Sequence, residues 1–187
     1  MPAATAHTAR LLLRAPTLDD LPQVCAIHGD PHTNRFNPNG PASDAASGEK
    51  LHGWIDHWQR YGFGYWAIER LDRPRQIIGF GGIMQAHFGH EAGLNLYFRF
   101  SPEAWGQGYA SEMARAALQL AFEELHAPWV IGLVRPDNLP SRRALERLGL
   151  SLNGQLDDFP GLPPSLLYRL DADDHGLTLA GPERRAD

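Results

Sequence analysis

The chain has almost no cysteine or lysine and no long apolar run. Its 187 residues include one cysteine, Cys25, which excludes an internal disulfide and a cysteine-rich metal cluster. Lys50 is the only lysine, so the lysine that a P-loop requires after its glycines is missing. No stretch approaches the roughly 18 apolar residues of a membrane-spanning helix, and the first residues do not resemble a signal peptide. We therefore expect a cytoplasmic protein with no membrane segment.

The composition is that of an ordinary globular domain. Hydrophobic residues make up 43% of the chain and charged residues 21%, which is typical of soluble proteins. The length suffices for one domain with a real core. The net charge of −5 gives no electrostatic reason to expect a nucleic-acid partner. We predict a single domain over residues 1–170 and a polar tail over residues 171–187.

Alternating helix and strand patterns predict a mixed α/β (α+β) domain. Strands are predicted near residues 10–14, 64–71, 76–85, 93–100, 128–135, 150–156 and 165–170. Helices are predicted near residues 18–27, 48–61, 109–125 and 138–148. Residues 29–48, rich in Gly, Pro, Asn and Ser, predict a long loop, and such a loop in a compact domain is usually functional or disordered.

The segment Trp105–Glu112, Trp-Gly-Gln-Gly-Tyr-Ala-Ser-Glu, predicts an anion-binding turn. Gly106 and Gly108 leave the backbone N–H groups without shielding side chains. The apolar periodicity that follows predicts an amphipathic helix, and a helix N-terminus favours a phosphate. A dinucleotide fingerprint is not favoured, because it would need Gly or Ala where Ser111 stands. Taken alone, the two glycines also fit a turn that merely reverses the chain.

A second pattern follows the predicted strand near residues 128–135. It consists of Asn138, Ser141, Arg143, Leu145, Glu146 and Gly149. Together the two patterns resemble the GNAT acetyltransferase superfamily, most closely the branch that includes the ribosomal-protein N-terminal (alanine/serine) acetyltransferases. In that branch the first motif commonly has the sequence Trp-Gly-x-Gly-Tyr-Ala-x-Glu. The second commonly has the sequence Asn-x-x-Ser-x-Arg-x-Leu-Glu-Lys-x-Gly-Phe. The first is matched at every fixed residue, and the second carries mild substitutions at Arg147 and Leu150. The resemblance extends from about Arg10 to Leu170.

The resemblance implies a GNAT fold with acetyl-CoA as its cofactor. The fold has a central mixed, mostly antiparallel sheet of about seven strands, splayed at strands 4 and 5 and flanked by about four helices. The diphosphate would lie on the backbone of Trp105, Gly106, Gln107, Gly108, Tyr109, Ala110 and Ser111. The pantetheine arm would pair with the backbone of Phe98, Arg99 and Phe100, and an N–H near Phe98 would face the thioester oxygen. An ordinary aromatic strand is compatible with these contacts, because they use only backbone atoms.

Three residues of the second motif are implied to contact the coenzyme. Asn138 would hydrogen-bond the pantetheine arm, although it could equally cap a helix. Ser141 would donate a proton or a hydrogen bond to the departing thiolate, because Leu145 stands where many GNAT enzymes have a tyrosine. Arg143 could meet the 3′-phosphate or simply be solvated.

The position of the general base departs from the family pattern. Branch members often carry Glu on the strand before the phosphate loop, and here Asn95 stands at that place, where its amide cannot accept a proton usefully. The nearby candidates Glu91, His87 and His90 fall at a strand end or in a predicted hairpin loop, where residues are often only solvated. Histidine is chemically suitable because it titrates near neutrality. Catalysis could instead use the neutral fraction of the amine, with positioning supplying most of the acceleration.

The acceptor site is expected at the front of the domain. Asp30, His32 and Arg35 lie in the long loop, and Trp54 and Trp58 lie on the following helix, where they could also be core residues. We expect direct acetyl transfer in a ternary complex to a primary amine, either a protein N-terminus or a small molecule. The alternative is a catalytically silent CoA-binding sensor or regulatory module. No metal site is predicted, and a monomer and a homodimer remain equally open.

Overall fold

The computed structural model describes residues 5–88 and 91–179 and contains one mixed sheet. Within these ranges the sheet has eight strands in the spatial order β1-β2-β3-β4-β5-β6-β8-β7. All neighbours pair antiparallel except β5 and β6, which are parallel. The strands are β1 (Thr5–His7), β2 (Leu11–Arg14), β3 (Tyr65–Arg70), β4 (Arg73–Phe88), β5 (Glu91–Phe100), β6 (Trp129–Val134), β7 (Ser151–Leu156) and β8 (Ser165–Asp171). The strand beyond the expected seven is β1, a three-residue edge strand.

Five helices within the described ranges accompany the sheet. They are α1 (Leu21–His28), α2 (Asp44–Tyr61), α3 (Tyr109–Gln119), α4 (Leu139–Arg147) and α5 (Ala172–Leu179). A wider turn, Leu120–Glu124, continues α3. Helix α2 begins earlier than predicted because the Ser43 side chain caps it, accepting the Ala46 N–H at 3.2 Å. Helix α5 lies within the segment expected to be a polar tail, so the first part of that segment is helical.

The sheet opens between β5 and β6, as predicted for strands 4 and 5 of seven. The two strands pair only at Leu94 with Val130 and at Asn95 with Ile131, although both continue further. Beyond Asn95 the edge of β5 that faces β6 therefore has no strand partner. Pairing between β5 and β4 is regular over all ten residues of β5, so the opening comes from divergence of β6 and not from a bulge at β4.

The two faces of the sheet carry separate parts of the core. On one face Leu94, Leu96 and Phe100 pack with residues of α3 such as Met113 and Ala117. On the other face residues of α1 and α2 pack on Phe80 and Tyr97. Because side chains alternate along a strand, Asn95, Tyr97 and Arg99 share the face toward α1 and α2. In the parts of the chain that are described, no helix has both the length and the apolar character to cross a membrane.

Candidate active site

A cavity of about 440 Å³ lies where β5 and β6 diverge. It is lined by both strands, by the loop between α1 and α2, by the end of β4, by the start of α4 and by the loop between β7 and β8. Six predicted site residues reach it, namely His87, Asn95, Phe98, Arg99, Asn138 and Ser141. Polar groups from distant segments thus converge on one concave space, as in ligand sites generally.

The turn before α3 presents open backbone N–H groups. Gly106 and Gly108 have φ angles of 73° and 80°, a region that favours glycine. A Cβ atom placed at Gly106 would meet no protein atom within 4 Å. The first hydrogen bond of α3 joins the Glu112 N–H to the Gly108 carbonyl at 3.0 Å. The N–H groups of the first helical turn therefore have no acceptor within α3, and the position fits a diphosphate.

The β1–β2 hairpin fixes this turn. Glu112 accepts hydrogen bonds from the Thr8 hydroxyl at 2.6 Å and from the Arg10 backbone N–H at 2.8 Å. The Arg10 side chain pairs with Glu112 at 2.6 Å, donates to the Gln107 carbonyl at 2.9 Å and lies 4.5 Å from the centre of the Tyr109 ring. Burial tends to raise the pKa of Glu112, but the bonds from Thr8 and Arg10 outweigh it and lower that pKa. The motif residues Tyr109 and Glu112 thus anchor the turn, and Thr8 and Arg10 are partners that the sequence did not reveal.

Trp105 joins the turn to the end of β5. Its ring N–H donates to the Phe100 carbonyl at 2.9 Å. Phe100 itself is a core residue, so it can meet a ligand only through its backbone. This bond ties the phosphate turn to the end of β5, although residues 105–111 and Phe100 lie outside the cavity lining.

The start of α4 supplies Asn138 and Ser141. The Asn138 side chain caps α4 by accepting the Ser141 N–H at 3.3 Å, so the capping alternative is realised. Its Nδ2 remains a possible donor to a ligand, and both residues line the cavity. Leu145 is buried and also lines the cavity, whereas Arg143 is exposed and lies outside the lining.

Asn95 is oriented by a half-buried tyrosine. Its Nδ2 donates to the Tyr65 hydroxyl at 2.7 Å, and the Tyr65 ring lies 5.0 Å from that of Tyr97. Burial raises the pKa of Tyr65, which therefore stays a neutral phenol. With its amide nitrogen engaged, Asn95 keeps Oδ1 as a hydrogen-bond acceptor. It can position an amine but cannot take its proton.

The titratable candidates are distributed differently from expectation. His87 is not in the hairpin loop, since β4 extends to Phe88 and His87 pairs with Ala92 in the sheet. The residue is exposed and lines the cavity, but this pairing places its side chain on the face of Leu94 and Leu96, opposite that of Asn95. Glu91 begins β5, but its side chain is outside the described part of the structure, as is His90.

Asp158 is a cavity residue that sequence reasoning missed. Its carboxylate accepts the Ser165 hydroxyl at 2.8 Å and an Arg135 N–H at 3.3 Å. Among the described side chains that line the cavity, it is the only carboxylate. The sequence around it, Asp-Asp-Phe-Pro-Gly, is typical of a surface turn, and no local signal places it opposite β5.

The expected acceptor residues of the long loop lie beside the cavity. The Asp30 carboxylate accepts the His32 backbone N–H at 2.6 Å and so shapes the loop. The Arg35 guanidinium lies 4.5 Å from the centre of the Phe36 ring. Asp30, His32 and Arg35 are outside the lining, whereas Phe36 and Thr33 of the same loop are part of it.

The two tryptophans of α2 belong to the core. Trp54 is 5% exposed and packs on Phe80 and Tyr65. Trp58 is 9% exposed, and its ring N–H donates to the Tyr65 carbonyl at 2.8 Å. Neither lines the cavity, so both are core residues, which was the alternative to an acceptor-site role.

Comparison with known proteins identifies the fold and the family. The family model described as "Acetyltransferase (GNAT) domain" matches residues 10–151. The chain belongs to the GNAT acetyltransferase family. It is 26% identical over 159 residues to the uncharacterized N-acetyltransferase p20 of Bacillus licheniformis, covering 83% of this chain and 86% of that protein. Membership supports acetyltransferase activity.

Solved GNAT structures share the fold over nearly the whole chain. The acetyltransferase from Agrobacterium tumefaciens str. C58 matches with a TM-score of 0.76 and 26% identity, covering 91% of this chain and 95% of that chain. The spermidine N-acetyltransferase from Vibrio cholerae, solved with CoA and spermine, matches with a TM-score of 0.71 and 16% identity. That match covers 88% of this chain and 97% of that chain. At this sequence identity it supports only the assignment of the fold. The predicted fold class is thus confirmed.

Proposed function

We propose that this GNAT protein transfers the acetyl group of acetyl-CoA to a primary amine by direct attack in a ternary complex. The observation that carries the proposal is the cavity where β5 and β6 diverge. It joins the edge of β5 to Asn138 and Ser141 on one side and to Asn95 on the other. Cys25, half-buried on α1, does not line this cavity, and burial raises the pKa of its thiol. These features favour direct attack over a covalent cysteine intermediate.

The coenzyme would be held along a continuous path. The N–H groups from Gly106 to Ser111 would bind the diphosphate. The free edge of β5 at Phe98–Phe100 would pair with the amides of the pantetheine arm, because those backbone groups have no partner on β6. Asn138 Nδ2 would add a side-chain donor to the same arm.

Each reacting atom would then have a protein group near it. The coenzyme supplies an activated thioester, and the amine nitrogen forms a bond to its acetyl carbon as the carbon–sulfur bond breaks. A backbone N–H near Phe98 would stabilise negative charge on the thioester oxygen, an effect worth about 3 kcal/mol at comparable sites. Asn95 Oδ1 would position the amine, and the Ser141 hydroxyl would donate its proton to the leaving sulfur while it takes up a proton from solvent.

His87 is the proton acceptor that we propose. His87 is an exposed residue of the cavity lining, and its imidazole can pass a proton to solvent. Because the His87 and Asn95 side chains leave opposite faces of the sheet, a water molecule would carry the proton from the amine to His87. Asp158 is already engaged by Ser165 and Arg135, which makes it the less available base. We expect His87→Gln to lower kcat/KM strongly and Asp158→Asn to lower it little. The opposite pattern would assign the role to Asp158.

Thiol release from acetyl-CoA tests the activity itself. The acceptors would be peptides with free N-termini, polyamines and aminoglycoside-like amines, and an N-acetylated peptide would serve as the control without an amine. Turnover with any free amine supports the proposal. If the folded protein fails to bind acetyl-CoA below millimolar concentration, the proposal fails.

A second candidate function is a CoA-binding sensor or regulatory module. Asn95 at the place of the family glutamate favours it, because the amide cannot act as a base. Tight coenzyme binding without turnover on any amine would support this second function.

A further inference from the structure

Arg99 is a half-buried residue of the cavity lining, and no described carboxylate forms an ion pair with it. Its Nη1 donates to Asn34 Oδ1. Asn34 is itself buried, and its Nδ2 donates to the carbonyls of His28 at 2.7 Å and Asp30 at 2.8 Å. The loop between α1 and α2 therefore fixes the Asn34 amide, and that amide fixes the Arg99 side chain.

Most other half-buried arginines of the described chain form ion pairs with carboxylates; Arg142 does not, but it lies outside the cavity lining and donates to the Tyr168 hydroxyl and the Pro136 carbonyl. Arg14 pairs with Asp20 at 2.7 Å, Arg135 pairs with Asp158 at 3.3 Å, and further arginines form similar pairs. In the described residues no carboxylate forms an ion pair with Arg99. A partly desolvated charge without a counter-charge is costly, and of the two arginines that line the cavity only Arg99 has no carboxylate partner among the described residues, so its position needs a reason.

The surroundings of Arg99 add positive charge. Partial burial and the Arg99 charge both lower the pKa of Lys50. Burial, followed by the charges of Arg99 and Lys50, lowers the pKa of His28 to about 3. The face of β5 toward α1 and α2 is therefore locally cationic at Arg99, in a protein whose net charge is −5.

We infer that the acceptor amine carries a carboxylate and that Arg99 binds it. This inference rests on the proposed function and names the acceptor class of the same site. A guanidinium matches the planar carboxylate with two parallel hydrogen bonds. A polyamine would bring cations to a wall that already carries the Arg99 charge, and like charges repel.

The spacing along β5 specifies the shape of this acceptor. Arg99 and Asn95 lie on the same face of the strand, four residues apart, a rise of about 13 Å. The amine would lie near Asn95 and the carboxylate near Arg99, which lines the same cavity. The two groups are therefore separated by an extended chain of several atoms, as in an ω-amino acid.

Calorimetry on the CoA-saturated full chain tests the inference. The ligands are 4-aminobutanoate and 6-aminohexanoate, each matched with the diamine of the same chain length. At the better length we expect the amino acid to bind about tenfold more tightly than its diamine. Arg99→Gln should bring the two affinities to parity. Arg147→Gln, an exposed site on α4 with the same change in charge, should preserve the difference.

Several results would overturn the inference. These are a diamine that binds as tightly as its amino acid, the absence of binding by both amino acids, or a preference that survives Arg99→Gln. A tenfold loss of CoA affinity in Arg99→Gln would assign the guanidinium to a coenzyme phosphate and would also overturn it. If the wild-type protein binds CoA and acetylates amines without regard to a carboxylate, the proposed function stands and only this inference fails. If CoA does not bind at all, the proposed function fails first.

Discussion

Glu112 and Arg10 lie 102 positions apart in the chain and form an ion pair of 2.6 Å at the start of α3. The same guanidinium donates to the Gln107 carbonyl inside the phosphate turn. The pair therefore links the first hairpin of the chain to the turn that is proposed to bind the diphosphate. The ion pair positions the phosphate turn and does not itself bind a ligand, because both side chains already have hydrogen-bond partners within the protein.

Glu112→Gln should weaken the anchoring of the phosphate turn, because it removes the charge of residue 112 but keeps a side chain of similar size. We expect coenzyme affinity to fall about fivefold and stability to fall by about 1 kcal/mol, because a charge-assisted hydrogen bond is lost. The folded-state pKa of Glu112 is lowered, so its contribution is present above the ordinary value of 4.5 and is lost as the pH falls below that value. Calorimetry with CoA and urea unfolding at pH 7 and pH 4 measure these effects. Glu49→Gln, at an exposed site on α2, should change neither quantity, and equal effects in the two variants would contradict the positioning role.

Ser141→Ala tests protonation of the leaving thiolate. Because the hydroxyl would act on the leaving group and Leu145 offers no phenol, we expect kcat to fall about tenfold or more while the Kd for CoA changes less than about twofold. Steady-state kinetics and calorimetry measure the two effects separately. Ser151→Ala, at an exposed position of β7, is the matched control. An unchanged kcat would remove Ser141 from the mechanism.

His28 should make the fold sensitive to acid. The ring is 2% exposed and lies between the Val24 carbonyl at 3.1 Å and the Tyr97 hydroxyl at 2.9 Å. Its pKa is lowered to about 3, so its neutral form stabilises the fold fully above the ordinary value of 6.5 and stability declines as the pH falls from 6.5 toward 3. Between pH 6.5 and pH 5 this loss is about 2 kcal/mol.

Urea unfolding at pH 7 and pH 5 measures that loss. His28→Gln should lower stability at pH 7 and flatten the decline between the two pH values. His52→Gln, at an exposed site on α2, should leave the decline unchanged. A decline as steep in His28→Gln as in the wild type would show that His28 is not its source.

The parts of the fold that local patterns encode could be predicted from the sequence. The apolar stripe of α3 and the aromatic alternation of β5 each bury one side of a regular element, and such periodicity is visible in a short window. The opening of the sheet was predicted from a family resemblance and is confirmed by the short pairing of β5 with β6. The edge strand β1 has three residues and offers no periodicity from which it could be predicted.

The parts of the site that depend on distant contacts could not be predicted. Asp158 reaches the cavity only because β7 and β8 pair beside β6. The contact of Asn34 with Arg99 spans 65 positions and has no sequence signature. For Trp54, helical spacing predicted which face of α2 the side chain lies on but not what that face contacts. The same spacing fits a tryptophan in the core and a tryptophan that lines a ligand site.

Coenzyme binding by Gly108→Trp tests the central claim most directly. Gly108 has a φ of 80°, and a Cβ there would meet only Arg10 Nη2 at 3.5 Å, so the substitution strains one residue but does not clash with the core. Gly161→Trp is the matched control, because Gly161 has a φ of 83°, is exposed and has no atom within 4 Å of its Cβ position. In calorimetric titrations with acetyl-CoA, we predict that Gly108→Trp loses binding by about 100-fold or more while Gly161→Trp binds like the wild type. Wild-type affinity in a folded Gly108→Trp variant would contradict the claim that this turn holds the diphosphate.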